Sequence, residues 1–225
     1  MPKDRKDRQA DASRQSASPI LPHGRIHKRS RGKLPHWERD GGTYFVTFRL
    51  ADSLPAASRD AIEAERLDIV RTAQHLKREL SNSELARLEQ FHTGKIEELL
   101  HAGHGACHLR DDRCAQIVAD SLGHFDDDRY VLHAWCVMPN HVHVVFTVAE
   151  GHRLSDILHS WKSFTANTCN KLLGRRGPFW MDESFDRLIR DETEFNRRVR
   201  YTLDNPIKAG LHDWKWVAKG PGWPR

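Results

Sequence analysis

His141-Val142-His143 sets two imidazoles two residues apart, at the start of the apolar run Val144-Val145-Phe146-Thr147-Val148. Successive side chains of a strand alternate between its faces, so both rings project one way and Val142 the other. Two imidazole nitrogens on one face can bind one metal ion. Composition alone yields about one such spacing in a chain with this much histidine, so the weight lies in the context. Polar rings that open an apolar strand need hydrogen-bond partners or a ligand once buried. Two satisfied structural histidines are the weaker alternative.

A second group lies near the C-terminal end. Tyr201 and Asn205 are four residues apart in a helical segment, one turn apart on one face. A tyrosine hydroxyl can act as a covalent nucleophile, but with an ordinary pKa of about 10 it needs a neighbouring charge or acceptor. The amide oxygen of Asn205 could complete a metal site with the two histidines, bringing Tyr201 beside the ion. Such an ion would polarise a phosphodiester and stabilise developing charge. Arg197, Arg198 and Arg200 precede the tyrosine and Lys208 follows it, a set suited to phosphate contacts. Taken alone, Tyr201 reads as an aromatic anchor of an amphipathic helix; the histidine pair reverses that preference.

These groups need a framework, and the chain supplies one. Thr43 to Leu50 is β-branched and aromatic and reads as a buried strand after Gly41-Gly42. Residues 56–101 carry apolar residues at helical spacing in two halves, Ile62 to Leu80 and Leu85 to Leu100. Ser81-Asn82-Ser83-Glu84 between them forms a capping box, so the segment reads as an inserted helical hairpin. His101, His104 and His108 fall in a polar Gly/His-rich loop and read as ordinary surface residues. Asp111-Asp112 can cap a helix to about Phe125. Strands follow at Tyr130–Val137 and His141–Val148, around the turn Met138-Pro139-Asn140. A helix from Ser155 to Leu173 stops at Gly174. A short strand near Phe185–Arg190 precedes a last helix from Glu192 to about Asp204, ended by Pro206. Without its insertion this is β-α-β-β-α-β plus a terminal helix, the ferredoxin-like order.

Residues 1–34 hold ten Lys/Arg against three Asp, a net +7 in a chain of net +5, so the remainder carries −2. A basic arm on a near-neutral body suits a polyanionic partner; a solvated, disordered tail is an equal alternative. No apolar run approaches the roughly 20 residues of a membrane span, and the charged start has no secretory h-region. Cys107, Cys114, Cys136 and Cys169 are scattered, which fits reduced thiols better than a disulfide framework. The boundaries read as a basic arm at 1–34, a catalytic domain at 35–215 with a helical insertion at 56–110, and a tail at 216–225.

The chain resembles the REP-associated tyrosine transposases, relatives of the single-tyrosine transposases in the HUH nuclease superfamily. The likeness is carried by His36-Trp37, Thr43 to Arg49, His133 to His143 (HAWCVMPNHVH) and Trp161 to Thr165. It continues through Phe179-Trp180, Glu183 to Asp186, Ile189-Arg190-Asp191 and Tyr201 to Gly210 (YTLDNPIKAG). It spans about residues 35–215 apart from the insertion. It implies an α+β fold: a ferredoxin-like βαββαβ sheet with helices on one face, a helical insertion after the first strand, and a C-terminal helix carrying the tyrosine. It implies His141 and His143 as metal ligands, Tyr201 as nucleophile and Asn205 as third ligand, although related insertion-sequence enzymes place Gln at that position. The implied reaction on single-stranded DNA at hairpin-forming palindromes is transesterification through a 5′-phosphotyrosine, with Mg²⁺ or Mn²⁺ and no nucleotide cofactor. The absence of a G-x-x-x-x-G-K-[ST] loop agrees. Single-stranded DNA calls for basic grooves and stacking aromatics. The candidates are Lys162, Arg175, Arg176, Trp180 and Arg190 beside the α-helical Arg197, Arg198, Arg200 and Lys208, with Trp161 and Phe179 also considered. Trp161 is the better core residue, and Trp180 divides evenly between core and platform. The resemblance also implies a bacterial, cytoplasmic, nucleoid-associated protein, and a homodimer is plausible for the wider superfamily.

Two other readings compete. One is a domesticated hairpin-DNA-binding regulator with little or no cleavage. The other is a small-molecule hydrolase with a histidine-bound metal, for which H-E-x-x-H and H-x-H-x-D-H are both absent.

Overall fold

The computed structural model describes residues 26–30 and 35–220; most of the basic arm and the end of the tail lie outside them. In chain order the elements begin with β1 (Ile26–Ser30), β2 (Pro35–Arg39) and β3 (Thr43–Arg49). The inserted helices are α1 (Ala56–His75), α2 (Asn82–Phe91) and α3 (Glu97–His101), with one π-type turn at His92–Ile96 between the last two. Then come α4 (Asp112–Gly123), β4 (Tyr130–Val137), β5 (His141–Val148), α5 (Leu154–Leu172), β6 (Phe185–Leu188), α6 (Glu192–Lys208) and β7 (Val217–Lys219).

The main sheet is antiparallel in the order β6-β3-β5-β4-β7. Removing β7 leaves the strand order of a ferredoxin-like sheet, with β3 and β4 joined through α4 around the intervening β5. The β3–β5 register pairs Thr47 with His143 and Arg49 with His141. Strand alternation sends Tyr44, Val46, Phe48, Val142, Val144 and Phe146 into one apolar layer, packed by Val118 and Leu122 of α4 and Ile157 and Trp161 of α5. Tyr130 ties this layer together: its hydroxyl donates to the Leu122 carbonyl and accepts from the Trp161 indole. The opposite face carries Phe45, Thr47, Arg49, His141, His143 and Val145, and α6 covers part of it with Phe195 and Val199. A bulge between Leu132 and Ala134 shifts the β4 register and places His133 against α6, where it bonds Thr147 and packs on Phe195.

Local signals set the ends. The Ser81–Glu84 box forms: the Glu84 amide donates to Ser81 Oγ and the Ser81 amide to Glu84 Oε2. Asp191 caps α6 by accepting from the Glu194 amide at 2.8 Å, and Asp111 caps α4.

Three boundaries differ from the sequence expectation. Ile26–Ser30, inside the presumed arm, pairs with Pro35–Arg39, because a hairpin's backbone bonds do not require apolar side chains. Val217–Lys219, inside the presumed tail, forms β7 on β4; three residues are too few to show a period. Gly220 then donates to the His133 carbonyl and runs so close to Leu132 that a Cβ would lie 1.6 Å from its oxygen. Pro206 does not end α6, which continues to Lys208. A proline one turn from a helix end removes one internal hydrogen bond, and the amides of Ala209 and Leu211 close the turn on the carbonyls of Asn205 and Pro206. The extra turn keeps Lys208 in register with Tyr201.

Candidate functional site

The histidine pair lies under α6 and α3. His141 and His143 are fully buried, and their Nε2 atoms are 3.0 Å apart. Both rings are held from behind. His143 Nδ1 is 2.8 Å from Thr47 Oγ1 on the neighbouring strand, and its ring stacks on Phe45 at 5.5 Å. His141 Nδ1 is 2.8 Å from Asn140 Oδ1. Asn140 Nδ2 donates to the carbonyls of Leu100 and His104, which fixes the amide orientation. Its oxygen must therefore accept from His141 Nδ1–H, so the lone pair of His141 sits on Nε2, facing His143.

A third group arrives from the insertion. Glu97, at the start of α3, is buried and brings Oε1 to 3.3 Å from His143 Nε2. One ligand atom from each of Glu97, His141 and His143 lies within 4.8 Å of the others, a group able to hold a metal ion. The donors suit it: two imidazoles and a carboxylate are common ligands of divalent transition metals. Glu97 Oε1 also accepts from His101 Nε2 at 3.1 Å and from Asn205 Nδ2 at 2.8 Å, whereas the buried Oε2 has no hydrogen-bond partner. Burial alone would raise the Glu97 pKa, but the charge of His143 and the bonds from His101 and His143 outweigh it and hold the carboxyl well below its usual range. The bond to Glu97 correspondingly raises the pKa of His101.

Tyr201 stands where the α6 spacing requires. Its ring is 5.3 Å from His143 and 5.6 Å from Phe45, both edge-on. Burial and then the charge of Glu97 push its phenol well above the usual tyrosine value, against weaker opposing effects of Arg198 and Asn205. Lys208 Nζ lies 4.9 Å over the same ring. Asn196, Arg197, Arg200, Tyr201, Asp204 and Lys208 line a recess of about 390 Å³. Three cations against one carboxylate, with a phenol among the lining, suit a phosphate.

The remaining expected residues separate. Asn205 is fully buried beside the pair, with its nitrogen on Glu97 and its oxygen 3.4 Å from His101 Nε2. Arg198 is buried, its guanidinium 5.0 Å over Phe45. Lys162 Nζ donates to the carbonyls of Met181 and Asp182, ordering the loop before β6. Trp180 is core: it is 5% exposed, packs edge-on against Phe48 at 4.8 Å and donates to Thr165 Oγ1. Trp161 and Phe179 are likewise buried. Arg175, over Phe179 at 5.7 Å, and the exposed Arg176 lie in the α5–β6 connection, while the exposed Arg190 precedes α6; none of them lines the recess.

Sequence reasoning missed Glu97 and His101. The signal available was their i,i+4 spacing, common on any charged helix. His101 is not a surface residue: its ring lies 6.3 Å from that of His141 and faces the site. It also missed Arg49, on the site's face of β3. Burial and the neighbouring Arg66 lower its pKa to about 10, against the opposing charges of Glu183 and Glu63.

Residues 110–187 match the family model described as "Transposase IS200 like". The REP-associated tyrosine transposase of Escherichia coli (strain K12) is 26% identical over 98 residues. That match takes in 44% of this chain and 54% of the relative, so the chain spans about half the length of the curated relative. A solved structure of a REP-associated tyrosine transposase bound to a REP hairpin overlays with a TM-score of 0.48 at 18% identity, covering 82% of this chain and 80% of that one. The family model and the curated relative support the resemblance to REP-associated tyrosine transposases that the motifs carry. Among the described residues no helix is long and apolar enough to cross a membrane.

Proposed function

From the IS200-like transposase likeness, we propose that this protein nicks and rejoins single-stranded DNA at hairpin elements, with Tyr201 as the nucleophile. The observation that carries the reading is the meeting of Tyr201, the His141–His143 pair and the cationic recess in one place. A scissile phosphate seated between Arg197, Arg200 and Lys208 would lie beside the phenol. Tyr201 Oη forms a bond to phosphorus as the bond from phosphorus to the 3′ oxygen breaks. The phenol proton leaves the tyrosine and one proton reaches the departing oxygen, giving a 5′-phosphotyrosine and a free 3′-hydroxyl. Attack by a 3′-hydroxyl in the reverse sense joins strands with no external energy source.

A divalent ion held at the histidines would polarise the phosphodiester and offset developing charge. The protein's own residues prepare that site. Thr47 and Asn140 orient the rings, and Phe45 stacks behind His143. Burial and then the charge of Glu97 keep the phenol protonated, and a cation at the site would offset the second of these. The basic arm, the half-buried Arg175 and the exposed Arg176 and Arg190 would contact DNA beyond the scissile phosphate.

The test uses a labelled hairpin-containing single strand with Mg²⁺ or Mn²⁺. A denaturation-resistant protein–DNA adduct is expected with the unaltered chain and none with Tyr201→Phe; an equal adduct in the variant removes Tyr201 from the mechanism. The cationic recess would serve equally a second reading, a hairpin-binding regulator. Tight hairpin binding with no adduct under either metal would select it.

A further inference from the structure

Glu97 and Glu194 are the buried glutamates among the described residues, and their surroundings differ. Glu194 receives the Arg187 guanidinium on Oε1 at 2.9 Å and the Arg190 amide on Oε2. Both of its oxygens are satisfied by the protein. Glu97 has three imidazole or amide nitrogens on Oε1 and interacts with the Tyr201 phenol, and no protein donor is bonded to its buried Oε2. The donors around Oε1 keep this carboxylate ionised, and its second oxygen is left in a position that suits a cation.

We infer that the third protein ligand of the metal is the Glu97 carboxylate, delivered by the helical insertion, and that Asn205 and His101 position it. This deepens the metal-centre reading above and rests on it. Distances agree with one shared ion: ligand atoms about 2.0–2.2 Å from a metal stand roughly 3–4 Å apart, and His143 Nε2 is 3.0 Å from His141 Nε2 and 3.3 Å from Glu97 Oε1, with one ligand atom of each residue within 4.8 Å of the others. Asn205 is occupied at both ends. Its amino group must be the end that meets the carboxylate, because only that end can donate. Its oxygen is then turned to His101, which itself donates to Glu97.

The insertion is locked to the histidine strand by the residue that orients His141. Asn140 takes the proton of His141 Nδ1 on its oxygen and gives its own protons to the Leu100 and His104 carbonyls, at and just beyond the end of α3. Helix α3 is therefore part of the centre. Its carboxylate lowers the charge of the loaded site by one relative to an amide ligand. Two imidazoles with a carboxylate also move the metal preference from Mg²⁺ toward Mn²⁺, Co²⁺ or Zn²⁺.

Co²⁺ titration of the full chain, read by visible absorption and competition with a chelating dye, tests this without any DNA. Glu97→Gln is nearly isosteric; it should weaken Co²⁺ binding more than about a hundredfold and change the spectrum, with far-ultraviolet circular dichroism unaltered. His101→Gln and Asn205→Ala should each lose about tenfold and keep the native band pattern. A Glu97→Gln variant that binds as the unaltered chain does, or an Asn205→Ala variant that loses as much as His143→Ala, overturns the assignment. If Glu97→Gln misfolds, infrared difference spectra of the unaltered chain decide: a metal-induced shift of a carboxylate stretch supports Glu97, and no shift rejects it. Failure of the unaltered chain to bind, or full binding by His141→Ala/His143→Ala, sinks the metal centre itself rather than the choice of third ligand.

Discussion

Along β5, Val142, Val144 and Phe146 enter the layer closed by α4 and α5, while His141, His143 and Val145 turn to α3 and α6. The first face is dry: aliphatic and aromatic side chains meet Trp161, Tyr130 and Leu122, and its few polar atoms bond one another. The second face is polar at its centre. Two imidazoles, a carboxylate, an amide and a phenol share a space bordered by an apolar cluster of Phe45, Val145, Ile189, Phe195 and Val199. One strand thus puts its even residues into packing and two of its odd ones, His141 and His143, into the candidate site. The apolar layer supplies the burial free energy that lets the other face hold groups whose desolvation is unfavourable.

If the faces are separable, a cavity on the dry side should lower stability and leave the site intact. Phe146 is fully buried against Tyr130 and Trp161, with ring centroids 5.6 and 4.9 Å away. Phe146→Ala is expected to cost about 3–5 kcal/mol in urea unfolding. Co²⁺ affinity of the folded fraction should stay at the native value. A parallel loss of affinity would show that the two faces are mechanically one.

The dry face was the more legible in the sequence, because period-two apolar strands and period-3.6 helices state burial directly. The histidine pair, the Tyr201–Asn205 turn and the strands around Asn140 were legible for the same local reason: each depends on spacings of two to four residues. Glu97 was not. It reaches the pair through a fold-back of more than forty residues, and on its own helix Glu97 with His101 resembles a solvated i,i+4 pair. Trp180 shows the converse. Its polar, Arg-rich neighbours leave core and platform evenly balanced in the sequence, yet an isolated bridge to Leu50 carries it into the core.

The polar face should also be the acid-sensitive one. His133 is 8% exposed, and burial lowers its pKa to about 4. Between pH 6.5 and 4 the unfolded chain takes up a proton that the folded chain refuses. This contribution is therefore complete above pH 6.5 and is lost as the pH falls toward 4. The full effect is at most about 3 kcal/mol. His133→Gln can keep the bond to Thr147 without a titrating ring. Its stability should be flatter than that of the unaltered chain across this window in pH-dependent denaturant unfolding. An identical slope in both would place the acid sensitivity elsewhere.

The smallest stability effect should accompany a large functional one, which sharpens the contrast between the faces most. Thr47 Oγ1 meets His143 Nδ1 at 2.8 Å, and its backbone lies in the centre of β3. Thr47→Val keeps the shape and the β-branched propensity but leaves a buried ring nitrogen without its partner, at a cost of about 1–2 kcal/mol. The same change frees the imidazole to rotate and unsettles its tautomer, so metal affinity should fall about tenfold to a hundredfold. Thr47→Val would then stay more stable than Phe146→Ala while binding Co²⁺ more weakly. Native affinity in Thr47→Val would mean that Phe45 stacking and Glu97 hold His143 in place without the hydroxyl.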